Sequence, residues 1–358
     1  MPRLFIDARL AGHSGIGVYI AEMLPRVLPG LAAWRPVVLA GERVRKAVAA
    51  LAGAHAETAA WDVPPLSLAD LVAAPPGVAR EDLLWTPHFN VPLRGGVPLF
   101  VTLHDLMPLT APALAGRGRS VPLRAWMRAI RGRARAVMCV SEFTRKEAIR
   151  VGGLDPGRLR VAHLGADAAW LAARRVPGAP PTAVFIGLMK PHKNVLRLLR
   201  AFASVRDRIP HRLVLVGRRR GVRNVDRAAL ALAAALPDRV RLVEDVPFAE
   251  LVQIVSAADF AVQPSLHEGF GLPALEAMAA GVPVLASRAG ALPEVCGDAA
   301  LYCDPASEED IAQGLLRLAG DTALRATLGA AGRERARAFS WDACASATAA
   351  ALEGALAA

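Results

Sequence analysis

Pro264-Ser-Leu-His-Glu268-Gly-Phe-Gly-Leu-Pro-Ala-Leu-Glu276-Ala-Met-Ala-Ala-Gly281-Val-Pro283 is the stretch around which the rest of the chain can be organised. The apolar run that ends at Pro264 reads as a buried strand, and Gly269 and Gly271 mark a turn. Pro273 stands in the first turn of a helix, where proline is tolerated, Gly281 stops that helix, and Pro283 opens the next strand. Two glycines before a helix let backbone N–H groups come close to a ligand, and the helix N-terminus adds unpaired donors and a positive dipole. Such a turn is a ready site for a diphosphate. Glu268 and Glu276 border the same pocket, and a carboxylate can accept from a pair of sugar hydroxyls. Taken alone, the arrangement also fits a well-capped strand–turn–helix unit with solvated glutamates.

Outward from this stretch, short apolar runs alternate with helical patterns. The runs lie at residues 4–8, 36–40, 83–86, 99–104, 136–140 and 160–164, then at 183–187, 213–217, 240–243, 260–264, 283–286 and 300–303. Helical patterns cover 17–28, 143–151, 195–209, 248–257 and 272–280. Continuously apolar strands alternating with helices predict parallel sheets covered on both faces. Two series of about six strands imply two doubly wound, Rossmann-like α/β domains, facing each other across a cleft lined by their C-terminal strand ends. Residues 172–181, with three prolines and a glycine, read as the linker. The expected division is an N-terminal domain at 1–172, a C-terminal domain at 180–340, and a terminal helix at 341–358 that packs back on the first domain. A length of 358 residues suits two domains, and 54% hydrophobic against 21% charged residues excludes a disordered chain.

The net charge of +11 points first to nucleic acid, acidic lipid or phosphorylated ligands. Only four of the 43 basic residues are lysine, however, and the arginine bias with abundant alanine and glycine looks like a GC-rich coding sequence. No nucleic-acid-binding module is legible, so nucleic acid is not expected as a partner. The densest basic run is 117–135, seven arginines without an acid. Leu123, Trp126, Met127 and Ile130 form one helical stripe, with Arg124, Arg128, Arg131 and Arg135 beside it. The pattern fits an ordinary domain helix with its apolar face buried, or a basic helix resting on an anionic membrane. The arginines of 212–227 read as solvated surface. No apolar run reaches the length of a membrane span, and Asp7 and Arg9 precede any signal-peptide apolar region, so a cytoplasmic enzyme is expected, peripheral to the membrane at most. Cys139, Cys296, Cys303 and Cys344 lack CxxC spacing and read as buried thiols.

Four more segments carry chemistry. Gly12-His-Ser-Gly15-Ile16-Gly17 follows the first strand, Thr102-Leu-His104-Asp105-Leu106 ends the fourth run, and Val140-Ser141-Glu-Phe-Thr144 ends the fifth. Gly187-Leu188-Met-Lys190-Pro-His192-Lys193-Asn194 opens the second series and holds two of the four lysines. A flexible ammonium there can follow charge building on a leaving diphosphate. There is no Asp-x-Asp, Gly-Lys-[Ser/Thr] or HExxH, so no metal and no cofactor is expected.

With Glu268 and Glu276 spaced as glutamate–seven residues–glutamate, these segments together resemble the retaining glycosyltransferases of family 4, which have the GT-B fold. The resemblance runs over nearly the whole chain. It implies transfer of a hexose, mannose favoured, from a nucleoside-diphosphate sugar to an acceptor hydroxyl with retention, without a metal ion. It implies catalytic roles for His104 near the donor sugar, Lys193 on the diphosphate and Glu268 on the sugar. Donor binding falls to Gly187, Lys190, His192, Asn194, Gly269, Phe270, Gly271, Leu272 and Glu276, the last on the ribose. Gly15, Ile16 and Gly17 serve phosphate or acceptor, with Asp105 and Ser141 as candidates for the acceptor side. Many members have an arginine where this chain has Leu188, a gap that His192 or Lys190 would fill. GDP-mannose is favoured over UDP-sugars, with a saccharide or lipid-linked saccharide of bacterial surface polysaccharide or glycolipid assembly as acceptor. Two other readings stay open: an inactive nucleotide-sugar binder, which the missing arginine favours, and an NAD-dependent dehydrogenase with Glu42 on the ribose.

Overall fold

The computed structural model describes residues 2–357 apart from 13, 66, 68, 116–119, 177 and 218–224, and only the backbone at 14, 32, 115 and 120–122. His13, Arg117 and Arg119, Pro177 of the expected linker, and the middle of the arginine cluster at 212–227 lie outside the described residues.

The first sheet contains β1 (Leu4–Asp7), β2 (Val37–Ala40), β3 (Glu57–Ala60), β4 (Leu83–Thr86), β5 (Leu99–Leu103), β6 (Ala134–Cys139) and β7 (Leu159–Val161). The second contains β8 (Thr182–Ile186), β9 (Arg212–Val216), β10 (Val240–Val243), β11 (Phe260–Gln263), β12 (Val284–Ser287) and β13 (Leu301–Cys303). Every pairing is parallel, in the orders β3-β2-β1-β4-β5-β6-β7 and β10-β9-β8-β11-β12-β13. Both are doubly wound Rossmann-like sheets. Their order reverses between β1 and β4 in the first and between β8 and β11 in the second, the positions at which such sheets bind ligands.

The first sheet has one strand more than the apolar runs foretell. Glu57-Thr-Ala-Ala is a partly exposed edge strand, and its composition carries no apolar signal. The central strands β1, β4, β5, β11 and β12 are buried along their whole length, as their continuous apolar character requires. The helix Val195–Val205 buries Val195, Leu198, Leu199, Phe202 and Val205, a 3.6-period face set against Phe185, Leu213 and Phe260. Each such side chain adds about 1.5–3 kcal/mol when buried.

By internal contacts the chain divides into Met1–Gly165 with Ser340–Ala358, and Ala166–Phe339. The expected edge at 172 therefore lies inside the second unit, because the short helix Ala168–Ala172 packs there through Trp170. Arg333 fixes that helix by donating to the carbonyls of Leu171 (2.6 Å) and Ala173 (2.8 Å). The helix Trp341–Ala357 belongs to the first unit and packs on the helix Ser14–Val27. Trp341 faces Tyr19, Arg26 donates to Asp342 at 2.8 Å, and Gly165 passes so close that a Cβ would stand 2.1 Å from the Trp341 nitrogen.

The helix Ser120–Arg133 settles the two readings of its apolar face. Leu123, Trp126, Met127 and Ile130 are buried in the first unit's core. Arg135 leaves the expected stripe, since it lies in β6 and donates to the carbonyl of Ala355 at 2.8 Å. Arg124, Arg128 and Arg131 remain exposed. All four cysteines are buried thiols. No described helix is long and apolar enough to cross a membrane.

Beyond β1 the first unit encloses an ionic network. Arg9 holds Asp7 with two bonds (2.9 and 2.6 Å) and Asp70 with one (2.7 Å), and lies 3.2 Å from the Trp61 ring centroid. Asn90 donates to Asp70 at 2.8 Å, and His88 stands 3.2 Å from Asp7. Burial alone would favour the neutral acid at Asp7, yet the bonds and charges of Arg9 and His88 outweigh it and hold the carboxyl well below its ordinary range. The stability this adds is present above the ordinary carboxylate range and is lost as the pH falls through it. Asp7→Asn leaves a buried cation half-compensated, so the unfolding free energy should drop by about 3–5 kcal/mol in urea titrations. A loss under about 1 kcal/mol would show that the network contributes no such support.

Candidate active site

Two loops leave the reversal point of the second sheet side by side. After β8 the chain runs through Gly187 to a single turn, Pro191–Lys193. Asn194 then takes the left-handed conformation (φ 61°) and starts the helix Val195–Val205. Asparagine tolerates that conformation, and here its side chain is fully used. Nδ2 donates to the carbonyls of Pro264 (2.9 Å) and Pro305 (2.8 Å), and Oδ1 accepts from Arg197 at 2.7 Å. Leu266 N–H donates to the His192 carbonyl at 2.7 Å. Asn194 therefore laces the β8 loop to the β11 loop and directs no polar side-chain atom to a ligand.

The lacing brings Lys193 to Glu268. Lys193 Nζ donates to Glu268 Oε1 at 2.7 Å, and Ser265 Oγ donates to the same oxygen at 2.7 Å. Ser265 is itself held, because its carbonyl accepts from Ser287 Oγ at 2.5 Å. Among the described residues, Oε2 of Glu268 takes part in no hydrogen bond. Burial opposes ionisation of Glu268, but the Lys193 ammonium, its hydrogen bond and the Ser265 hydroxyl prevail and hold the carboxyl below its usual value. Burial, reinforced by the Lys193 charge, lowers His192 to about 3. A neutral imidazole is no substitute for the arginine absent at Leu188, which leaves Lys190 as the second cation of this loop.

Gly271, at φ 104°, caps the helix Leu272–Ala279, and a Cβ there would stand 2.6 Å from Leu292 Cδ2. Its N-terminus follows Gly269 and Phe270 directly, so the helix dipole opens where the Glu268 loop ends. The Phe270 ring is buried edge-on against Phe339 at 5.8 Å, so only its backbone is placed to serve a donor. Glu276 lies in the second turn, half-buried, facing the indole of Trp170 and the carboxylate of Asp167. Burial raises its pKa to about 7, Asp167 adds to the rise, and the Trp170 N–H opposes it.

In the first unit, His104 follows β5. Its Nε2 pairs with the Pro87 carbonyl at 3.1 Å and its ring meets Tyr19 edge-on at 4.9 Å. Burial lowers it to about 4, so it is a neutral imidazole whose Nε2–H is engaged, leaving Nδ1 as its acceptor. Asp105 accepts from Met107 N–H at 3.0 Å and Ser141 from Thr144 N–H at 3.0 Å, each closing a local turn. Gly15, Ile16 and Gly17 form the first turn of the helix Ser14–Val27 rather than a loop. Gly17 is pressed against Gly12, where a Cβ would come within 2.8 Å of its nitrogen. Glu42 is exposed and pairs with Arg45 at 2.7 Å.

Several functional groups escaped the sequence reading. Ser265 and Ser287 carried no motif. Gly290, at φ 61°, lies under the Glu268 backbone, where a Cβ would meet its carbonyl oxygen at 2.2 Å and its nitrogen at 2.6 Å. A lone glycine after a strand was the available signal for it. Trp170 and Asp167 lie outside every segment the reading singled out.

Two glycine-bordered loops, an ammonium–carboxylate pair and a helix N-terminus thus meet at the reversal point of the second Rossmann-like sheet. Residues 168–335 match the family described as glycosyl transferases group 1, and residues 75–170 match glycosyltransferase family 4. The chain is 31% identical over 270 residues to the O-antigen chain mannosyltransferase B of Escherichia coli, covering 72% of this chain and 70% of that protein. It is 32% identical to the MMP alpha-(1->4)-mannosyltransferase of Mycolicibacterium hassiacum, covering 73% of this chain and 66% of that one. Among solved structures, Anabaena Alr3699/HepE in complex with UDP-glucose superposes with TM-score 0.75 at 18% identity, covering 99% of this chain and 100% of that one. Sucrose-phosphate synthase of Thermosynechococcus elongatus does so with TM-score 0.74 at 20% identity, covering 96% of each chain. The chain belongs to glycosyltransferase family 4, with the GT-B fold.

Gly290→Ala tests the packing under Glu268. A methyl group cannot occupy that space, so the loop must shift and carry Glu268 from Lys193. The expected result is a loss of stability above about 1 kcal/mol together with loss of any thermal stabilisation by nucleoside diphosphates. Wild-type stability and an intact ligand response would contradict the geometry.

Proposed function

We propose that this glycosyltransferase moves a hexose, mannose in preference, from a nucleoside-diphosphate sugar to an acceptor hydroxyl with retention at the anomeric carbon. The observation that carries the reading is the Lys193–Glu268 pair. It sets a cation against the loop that leads into the helix Leu272–Ala279 and leaves Glu268 Oε2 available for a sugar hydroxyl.

In this reading Lys193, Lys190 and the helix N-terminus meet the charge that builds on the departing diphosphate, in place of a metal ion. Glu268 binds the hexose and Glu276 the ribose. The acceptor hydroxyl attacks on the face the leaving group departs from, and the departing phosphate oxygen takes its proton, so no side chain acts as nucleophile. His104, neutral and with Nδ1 as its acceptor, suits a sugar hydroxyl rather than a phosphate. The mannosyltransferases among the relatives support mannose, and with it GDP-mannose as donor. A lipid-linked saccharide of surface polysaccharide or glycolipid assembly suits the acceptor. Asp105, Ser141 and Gly15–Gly17 act on that side by shaping the backbone, since their local bonds hold turns. An exposed Glu42 and family membership leave the dehydrogenase reading without support.

Lys193→Ala and Glu268→Ala should each lower hexose transfer by about 10²–10³-fold, the scale of losing one preorganised charge contact. Equal rates in wild type and both variants would overturn the enzyme reading in favour of an inactive binder. A thermal-shift series with GDP-, UDP- and ADP-sugars should show the largest stabilisation with GDP-mannose.

Arg124, Arg128 and Arg131 make the peripheral membrane contact in this proposal. The contact is electrostatic alone, because the helix's apolar face is buried. At about 1 kcal/mol per arginine, binding to vesicles with 30% anionic phospholipid should be lost in the triple glutamine variant and at high salt. Equal sedimentation of wild type and variant would remove the membrane from the proposal.

A further inference from the structure

Trp170 is among the largest fully buried side chains, and its indole nitrogen has no hydrogen-bond partner. Buried donors are nearly always paired, so an orphaned indole N–H calls for an explanation. The helix that carries it, Ala168–Ala172, rests on the helix Leu272–Ala279, and the Phe248 ring meets the indole at 5.8 Å and 87°. The position is well fixed. Asp167 caps the helix by accepting from Ala169 N–H at 2.7 Å, and the two Arg333 bonds hold its far end. What the N–H faces is the carboxyl of Glu276.

We propose that Trp170 is a positioning residue for nucleoside recognition: its indole N–H, which no other acceptor claims among the described residues, is the donor that orients the Glu276 carboxylate, so that Glu276 can accept from both hydroxyls of a ribose. The inference rests on the ribose-binding role of Glu276 proposed above. The charged groups that bear on Glu276 can be named element by element. Asp167, from the helix that carries Trp170, opposes its ionisation. Arg333, from the helix Thr322–Ala336 that also packs on Leu272–Ala279, is turned to the carbonyls of Leu171 and Ala173. The helix Leu292–Cys296, which also packs on Leu272–Ala279, carries Glu294, and the adjoining strands β11 and β12 contribute no ionisable side chain. Among the described residues, Trp170 is thus the donor set against the burial of Glu276 and the charge of Asp167. With the carboxyl titrating near 7, a modest donor decides how much of it is ionised at neutral pH.

The sign follows. A carboxylate accepts from two hydroxyls at once, so nucleoside diphosphate affinity should rise with pH as Glu276 ionises. Trp170→Phe keeps the apolar ring and removes the N–H, so ionisation should need a higher pH. With a midpoint displaced by about one unit, GDP binding by calorimetry should weaken roughly five- to tenfold at pH 6.5 and recover to wild type at pH 9. In a Glu276→Gln background the same change should cost nothing further, which separates donation to the carboxylate from packing. Melting temperature of each variant reports whether the fold is kept, and Trp170→Tyr serves if Trp170→Phe is unstable. An equal loss at pH 6.5 and pH 9, or the same loss in the Glu276→Gln background, would overturn the positioning role while leaving the nucleotide site standing. If wild type binds none of GDP, UDP and ADP at any pH, the donor-site reading fails, and this inference fails with it.

Discussion

The bond between Lys193 and Glu268 is the contact that ties together the loops leaving the centre of the second unit's sheet. Two loops from adjacent strands, β8 and β11, meet there, and the Lys193 ammonium helps hold the buried Glu268 carboxyl below its usual value. The pair survives because its geometry is reinforced on every side. Asn194 laces the two loops through backbone carbonyls, Ser265 shares the loaded carboxylate oxygen, and Ser287 holds Ser265 in turn. Gly290 supplies the missing volume beneath the Glu268 backbone. Three side chains and one absent side chain thus hold one ion pair.

The two carboxylates of this loop and helix are driven apart by their surroundings. Glu268, against an ammonium and a hydroxyl, is held ionised, whereas Glu276, buried and beside the carboxylate of Asp167, is pushed up to about 7. Equal residues eight positions apart thereby gain different acidities from burial, charge and hydrogen bonding. The first unit repeats the logic without the chemistry. Its buried Arg9 satisfies two aspartates and a backbone carbonyl, and so stiffens the segment that follows β1.

The excess of arginine also finds a physical use. Arg325 donates to the carbonyls of Leu318 and Ala319, Arg239 to those of Ile209 and His211, and Arg335 to those of Val295 and Glu294. A planar guanidinium can close two carbonyls at once where a lysine cannot. Several arginines are therefore spent on ending helices and binding loops to them, while others, Arg43, Arg94, Arg124, Arg128 and Arg131 among them, stay exposed.

The sequence by itself determined the alternation of strand and helix, because continuous apolar runs and a 3.6-residue period are local signals of burial. Its turn residues placed Glu268, Glu276 and Lys193 at strand ends, and their spacing resembled one family. The edge strand β3 was invisible, since a strand half in water needs no apolar run. Only the tertiary structure decided which residues act and which merely hold. Asn194, Asp105 and Ser141 carry the right chemistry in the right segments, yet their side chains are consumed by backbone groups from loops and turns. Ser265, Gly290 and Trp170 carry no motif and matter through what stands beside them. Proximity between residues 22 to 106 positions apart is created by the fold of the sheet, and no local pattern encodes it.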